Sequence, residues 1–281
     1  MKKRIYLGLG VIFMLICTFL CVAILGLIIG DIVGKGYSAL SWDFLISFPR
    51  NGMTEGGIFP AIIGTCLLSI ITALFSIPFG VAAAIYLQEY AQENFLTRLL
   101  RASIRNLAGV PSIVYGLFGV ALFVQAMQMG TSLLASGLTL GLLSLPYIIT
   151  VTEESLKTVP KGMKEASIAL GASKWQTLYK VVLPFCVPGI LTGTILALSR
   201  AAGETAPILF TGVFFYQRYL PASLFDEFMA LPYHLFILST QHHDIEGVRH
   251  LAYGTALILL ILIFLMNLTA FYIRVKYRRK I

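Results

Sequence analysis

The sequence has few charged residues, and this scarcity excludes most classes of soluble protein. Asp, Glu, Lys and Arg make up 12 % of the 281 residues, whereas soluble domains carry about 25 %. Hydrophobic residues make up 58 %, and the mean hydropathy is +0.85. We therefore expect a polytopic membrane protein whose apolar surface faces a lipid bilayer.

The sequence also lacks the motifs that would make it an enzyme on its own. No G-x-x-x-x-G-K-[ST] phosphate-binding loop occurs, since Gly34-Lys35 has neither the required spacing nor the hydroxyl residue. No nucleophile and base are placed as in a common catalytic site. We predict a chain that binds no cofactor and catalyses no reaction by itself.

Cysteine and histidine are scarce, and neither is spaced as a metal site. The four cysteines all lie in apolar runs, so we expect small buried hydrophobes and no disulfide framework: Cys17, Cys21, Cys66 and Cys186. The i, i+4 pair Cys17 and Cys21 would suit a metal, but burial is the better interpretation. The four histidines match no metal signature and are expected to be solvated or packed: His234, His242, His243 and His250.

Six apolar runs are long enough to cross a bilayer, since about 20 residues suffice. They cover residues 5–30, 59–88, 104–129, 132–152, 184–206 and 251–273. The sequence therefore predicts an all-α protein with six transmembrane helices. An N-terminal helix and outer loop (1–58) precede a core (59–275), and a basic tail (276–281) ends the chain.

The basic residues fix the orientation, because Lys and Arg concentrate on the cytoplasmic side of membrane proteins. Sixteen of the 21 lie at the termini or in the segments that face inward when both termini are cytoplasmic, and four lie in outer segments. The remaining one, Arg200, lies in an apolar run. The net charge of +8 is thus explained by topology, and we predict no nucleic-acid partner.

Two apolar stretches are irregular. GVPSIVYGLFG (109–119) combines three glycines with a proline, which fits either close helix packing or a broken helix lining a pathway. LPYHLFILS (231–239) is too short to span and is expected to be a re-entrant or interfacial piece.

The inner segment 153–183 is amphipathic, with apolar residues at helical spacing in two halves. Gly171 lies between the halves, where it can supply a left-handed turn. Pro160 fits a helix start, and Pro184 is expected to begin the next span. From the residues alone, the segment could dock into a partner's groove or rest on lipid.

The same segment resembles a known family. Its pattern is that of the EAA loop of ABC importer permeases, with Ser for Ala and Val for Ile: Glu165, Ala166, Ser167, Gly171, Val181, Leu183 and Pro184. The resemblance implies that 160–184 is a coupling helix seated in a cleft of an ATPase subunit. It also implies that residues from about 60 to 273 form a type I permease core.

Arg200 and Glu204 lie one helical turn apart in ALSRAAGETAPILFT. An ionisable group in a span faces a bundle interior or a pathway. Counting about 1.5 Å per residue from Pro184 places Arg200 about 24 Å along the helix, in its outer half. The pair could contact an oxyanion substrate or form a salt bridge that only stabilises packing.

SRAAGETAP and GVPSIVYGLFG also resemble the phosphate-specific permeases of this family. That resemblance implies that Arg200 and Glu204 take part in phosphate passage. It implies a second, homologous permease, two ATPase subunits that carry the ATP and Mg²⁺, and an external phosphate-binding protein. The expected location is the bacterial inner membrane.

Two other functions stay open at this stage. One is an ABC permease for another oxyanion or small solute, such as sulfate or an amino acid. The other is an ion-coupled secondary transporter that uses Arg200 and Glu204 as an ion relay. The EAA-like segment 160–184 argues against it, because a secondary transporter has no use for a helix that docks to an ATPase.

Overall fold

The structure is a computed structural model that describes the backbone of residues 2–278 and the side chains of residues 10–276. Lys2, Lys3 and Arg4 and the predicted basic tail beyond Lys276 lie outside the described side chains. In chain order the helices are α1 Lys2–Gly36, α2 Trp42–Ile46, α3 Phe59–Tyr90, α4 Phe95–Leu107, α5 Ser112–Ala126, α6 Leu133–Lys157, α7 Lys161–Ala169, α8 Lys174–Ala201, α9 Ala206–Leu209, α10 Leu231–Thr240 and α11 Ile245–Arg278. A hairpin of β1 Pro49–Arg50 and β2 Glu55–Gly56 and 3₁₀ turns at Tyr37–Ala39 and Asn51–Met53 lie between α1 and α3.

The predicted all-α, multi-span architecture is confirmed. Within the described residues, α1, α3, α6, α8 and α11 are each long and apolar enough to cross a membrane. The bent pair α4 and α5 makes a sixth span when it is counted as one. The core lies where α6 packs against α3 on one side and α8 on the other, with Leu140, Ile148 and Leu156 of α6 almost fully buried.

The third span differs from the prediction of one helix over 104–129. α4 and α5 meet at 104° across a break of four residues. Pro111 at this break has no N–H to donate and disfavours a helical conformation at Val110. α4 exposes Phe95 and Leu99 beside Arg98 and Arg105, which is the pattern of a helix lying along a membrane surface.

Residues 109–119 combine the two predicted features of close packing and a broken helix, since the helix is broken before Pro111 and packs closely after it; that they line a pathway stays a prediction. A Cβ on Gly116 would stand 3.1 Å from the carbonyl oxygen of Ala206, and a Cβ on Gly119 would overlap Thr139. Small residues at these points let α5 approach α9 and α6 closely.

The fifth span begins ten residues earlier than predicted. We expected it to start at Pro184 and to run to residue 206, but α8 runs from Lys174 to Ala201. A π-helical stretch, Leu178–Val182, directly precedes Pro184. Proline in a helix removes one hydrogen bond, and this local change of winding lets the helix continue through it.

The prediction that the cysteines are buried is wrong for three of the four. Cys17, Cys21 and Cys66 are exposed, and only Cys186 is buried. Cys17 and Cys21 lie on α1, which packs mainly along α11 and leaves most of its apolar surface open. In a membrane protein an apolar surface can face lipid, so an apolar run does not imply a protein interior.

The outer segment after α9 folds back onto the core. Residues 231–239 form most of α10, whose Leu231, Ile237 and Leu238 are buried. The Leu231 N–H donates to the hydroxyl of Thr65 on α3 at 2.9 Å. This short helix is thus held by protein contacts.

The histidines divide as expected into packed and solvated residues. His234 and His242 are buried, whereas His243 and His250 are exposed. His242 lies 2.9 Å from the Gly52 carbonyl through Nε2 and accepts from the Asp244 N–H through Nδ1. The Nδ1 of His234 has no hydrogen-bond partner among the described residues.

Acidification should destabilise the outer segment through His234. Burial, with a smaller contribution from His242, lowers the pKa of His234 from 6.5 to about 4. The unfolded chain therefore binds a proton near pH 6.5, whereas His234 in the folded chain stays neutral until the pH approaches 4. The free energy of unfolding consequently falls as the pH drops from 6.5 towards 4. At pH 5 the free energy of unfolding should be about 2 kcal/mol lower than at pH 7.

Thermal unfolding in detergent between pH 7 and pH 5 measures this loss. The decrease should shrink in His234→Gln and persist in His243→Gln, which changes an exposed neighbour. An equal decrease in both variants would show that His234 is not the titrating group.

Candidate functional site

Arg200 lies in the last turn of α8, and Glu204 lies beyond the end of that helix. The turn is closed by hydrogen bonds from the Gly203 N–H to the Arg200 carbonyl and from the Glu204 N–H to the Ala201 carbonyl, both 3.1 Å. Arg200 Nε is 3.7 Å from Glu204 Oε1. The sequence prediction paired these residues as helical neighbours, and the turn keeps them paired although the helix has ended.

Arg200 lies in the outer half of its own helix, as residue counting gave, and contacts between α8 and α6 show where that point lies in the bundle. Gly193 faces Val151, Gly189 faces Ser155, and Arg200 faces Tyr147. At 1.5 Å per residue, Tyr147 is about 21 Å from the outer end of α6 and about 15 Å from its inner end. Arg200 thus lies near the middle of the helix bundle.

Tyr147 is a site residue that the sequence analysis missed. The Cζ atom of Arg200 lies 4.6 Å from the centroid of the Tyr147 ring, and Nη1 of Arg200 donates to the Tyr147 hydroxyl. The only signal in the sequence is a phenol in an apolar run, whose hydroxyl needs a partner when buried.

A groove between α8 and α11 adds two more polar side chains. It has a volume of about 490 Å³ and is lined by Ser199, Arg200, Glu204 and Asn267 together with apolar residues. Ser199 Oγ donates to Asn267 Oδ1 at 2.9 Å. Asn267 was also missed, although a lone amide in the apolar run of α11 is itself an unusual residue.

This groove is suited to a small anion. The Arg200 side chain is 56 % exposed, and among the described residues only one of its five N–H groups has a hydrogen-bond acceptor. A guanidinium presents a planar fork of donors to an oxyanion and stays charged in an apolar setting. With its Oδ1 occupied by Ser199, Asn267 keeps its two amide N–H groups as further donors.

The inner segment forms two helices on either side of Gly171, as predicted, but only the first is short, because the second is the start of the long helix α8. α7 ends at Ala169, Gly171 has φ +86°, and a capping box between Ser173 and Gln176 starts α8. The left-handed turn at Gly171 and the helix start at Pro160 are therefore confirmed.

The residues of the EAA-like pattern lie on this segment and on the first turns of α8. Glu165, Ala166 and Gly171 are exposed, Ser167, Val181 and Leu183 are half-buried, and Pro184 is exposed within α8. Large apolar side chains around them are also exposed, and Leu170 reaches 90 %. These side chains are Met163, Ile168, Leu170, Trp175 and Tyr179, and such an exposed apolar patch is typical of a contact with another protein or with a membrane.

An ion pair joins this segment to the inner end of α3. Lys164 Nζ on α7 is 2.5 Å from Glu89 Oε1, and both side chains are about one quarter exposed or less. Glu89 belongs to the π-helical stretch Tyr86–Tyr90 that ends α3. α7 is therefore joined to α3 by a direct contact as well as to α8 by the chain.

A second ion pair holds the neighbouring helix ends together. Arg101 of α4 lies 3.4 Å from Glu153 of α6, and its Nη2 donates to the Leu87 carbonyl of α3 at 2.6 Å. The inner ends of α3, α4 and α6 are thus fixed to one another next to the segment.

A family model and several known protein sequences match most of this chain. A family model described as "Binding-protein-dependent transport system inner membrane component" matches residues 76–280. The chain is 34 % identical to the probable ABC transporter permease protein YqgI of Bacillus subtilis, over 91 % of this chain and 90 % of that protein. It is 33 % identical to the phosphate transport system permease protein PstA of Mycobacterium leprae (95 % and 88 %) and 35 % identical to the probable PstA of Methanocaldococcus jannaschii (87 % and 85 %).

Solved structures show the same fold at low sequence identity. A chain of a bacterial ABC transporter involved in alginate import superposes with a TM-score of 0.66 at 14 % identity, over 97 % of this chain and 99 % of that one. A chain of the MetNI methionine ABC transporter in an inward facing conformation gives a TM-score of 0.62 at 19 % identity, over 77 % and 94 %.

Removing the ion pair of Lys164 should loosen the inner segment. In Lys164→Met or Glu89→Gln, backbone amides of 161–169 should exchange with solvent about three to ten times faster, because the pair contributes about 1 kcal/mol. Hydrogen exchange read by mass spectrometry measures this directly.

Lys157→Met provides the matched control, since its pair with Glu154 is close to α7 but exposed. The charge-reversed double variant Glu89→Lys with Lys164→Glu should restore slow exchange. Equal exchange rates of the 161–169 amides in Lys164→Met and Lys157→Met would show that the Lys164–Glu89 pair does not hold this segment.

Proposed function

The chain belongs to the family of inner membrane components of binding-protein-dependent transport systems, and we propose that it is the permease subunit of an ATP-driven importer of inorganic phosphate. Its fold is that of a type I ABC importer permease, as the sequence predicted. The observation that carries the substrate is the Arg200–Glu204 pair in an open polar groove at the middle of the bundle. The phosphate permeases among its relatives support the same assignment.

Arg200 and Glu204 have complementary roles in this proposal. The guanidinium of Arg200 offsets the negative charge of the anion and donates to its oxygens. Glu204, 19 % exposed, neutralises Arg200 between transport events and accepts the hydroxyl hydrogen of hydrogen phosphate. Fully ionised sulfate lacks that hydrogen, so a site with a fixed acceptor rejects it.

The inner segment supplies the coupling. With its exposed Glu165, Ala166 and Gly171, it seats in a cleft of an ATPase subunit, and the apolar patch around Leu170 and Trp175 provides the buried contact. ATP binds with Mg²⁺ to the two ATPase subunits, and this chain itself binds no cofactor. Closure of the ATPases moves α7, and with it α8 and α3, so that the pathway alternates between inward and outward access.

The remaining partners follow from the same proposal. A second, homologous permease pairs with this chain and completes the passage beside Arg200, and an external binding protein delivers phosphate to the outer face. The complex lies in the bacterial inner membrane with both termini of this chain in the cytoplasm, as the distribution of basic residues indicates.

Loss of the pair should abolish transport without loss of the complex. We expect Arg200→Gln to reduce radiolabelled phosphate uptake at least about tenfold, because a charge-assisted contact to the anion is removed. Glu204→Gln should weaken the preference for phosphate over sulfate by about tenfold. Arsenate should compete with phosphate in the native complex, and sulfate should not.

Pull-down of the ATPase verifies assembly in each variant. Arg249→Gln is the matched control, because Arg249 forms a comparable pair with Glu246 at the exposed outer end of α11. Normal uptake in assembled Arg200→Gln and Glu204→Gln complexes would make the pair structural and remove the basis for the substrate.

A further inference from the structure

Tyr147 does more than fill space beside Arg200. Its ring lies under the guanidinium, with 4.6 Å between Arg200 Cζ and the ring centroid. Its hydroxyl accepts from Arg200 Nη1 and donates to the carbonyl of Ala108 at 3.1 Å. One half-buried phenol therefore contacts Arg200 by its face and by its hydroxyl, and is itself anchored to backbone.

Arg200 needs such a contact to act on an anion. A long, 56 % exposed side chain has many rotamers, and ordering it when the anion arrives costs free energy. Glu204 lies 3.7 Å from Nε, beyond hydrogen-bond distance. Glu204 thus balances the charge of Arg200 but does not fix the plane of the guanidinium.

We propose that Tyr147 is the positioning residue of Arg200, holding the plane of the guanidinium so that its remaining N–H groups meet the translocated anion in a fixed orientation. The inference rests on the proposed function, since it assigns Tyr147 a task in anion passage. A preorganised donor loses no free energy to reorientation at the moment it is needed.

The anchor of Tyr147 extends this positioning to the broken span. Ala108 lies in the break between α4 and α5, so the hydroxyl of Tyr147 joins that break to Arg200 on α8. A change in the break alters the orientation of Arg200 through a chain of two hydrogen bonds.

Tyr115 provides a matched control within the same region. Its hydroxyl donates to the Leu107 carbonyl at 2.9 Å, one residue before Ala108, and Tyr115 is not among the residues in contact with Arg200. Tyr115→Phe and Tyr147→Phe each remove one hydroxyl-to-carbonyl hydrogen bond beside the break, although the Leu107 carbonyl keeps the Val110 N–H, and only the second variant also removes one from Arg200.

The test measures radiolabelled phosphate uptake by the complete transporter, expressed per assembled complex, over a range of phosphate concentrations. Tyr147→Phe should reduce the maximal rate about tenfold through loss of a hydrogen bond to a charged group. Tyr147→Leu, which also removes the ring, should reduce it about thirtyfold. Tyr115→Phe should stay within about twofold of the native rate.

The concentration giving half-maximal uptake should be unchanged in all of these variants. In the proposed complex the external binding protein captures phosphate, whereas Tyr147 acts only on its passage. In an Arg200→Lys background, which keeps the charge but not the planar fork, Tyr147→Phe should have less than about a twofold effect.

Two results would overturn the inference, and they are distinguishable. If Arg200→Gln lowers uptake but Tyr147→Phe matches Tyr115→Phe, the proposed function stands and Tyr147 has no positioning role. If Arg200→Gln transports normally, the pathway assignment fails and the role of Tyr147 fails with it. Should Tyr147→Leu not assemble, Tyr147→Phe, which keeps the ring, decides alone.

Discussion

The free-energy cost of a permanent charge among apolar helices governs the middle of this protein. An arginine inside a bundle is retained only where charge and hydrogen-bond partners offset its desolvation. Around Arg200 these partners come from two places, Tyr147 on α6 and Glu204 in the turn after α8, and the groove shared with α11 adds polar side chains nearby. Together they leave most of the guanidinium N–H groups without an acceptor among the described residues, and in the proposed function these groups are the donors for the anion.

Helix α8 connects this site to the turn at Gly171. It runs without interruption from Lys174, next to the Gly171 turn, to Ala201, a rise of about 40 Å at 1.5 Å per residue. The turn at Gly171 and Arg200 thus lie near opposite ends of one helix, with Pro184 and the π-helical stretch closer to the Gly171 end. Such local departures from α-helical winding often occur at functional positions, and here one separates the first turn of α8 from the part that carries Arg200.

Much of this arrangement could be predicted from the sequence, because a lipid bilayer requires long apolar helices and makes a charged residue within one of them unusual. Apolar runs of sufficient length predicted the spans, and Arg200 and Glu204 stood out as charges in an apolar run, whereas the orientation given by the basic residues stays a prediction. Tyr147 and Asn267 could not be found in this way, since contacts between helices distant in sequence leave no periodic signal. The early start of α8 was missed because proline is read as a helix boundary, although it is also tolerated within a helix that adjusts its winding.

Two irregularities of the backbone, the α4–α5 break and the end of α8, lie close to Arg200. A helix that breaks within a bilayer leaves carbonyl groups that no water can satisfy, so such breaks persist only where protein groups or a hydrated cavity replace the lost bonds. The carbonyls of Leu107 and Ala108 at the α4–α5 break accept from the hydroxyls of Tyr115 and Tyr147, while α8 ends at Ala201 beside the groove. Because the same Tyr147 hydroxyl also accepts from Arg200 Nη1, one side chain both satisfies a carbonyl at the break and contacts the charge, and the break and Arg200 are linked through Tyr147.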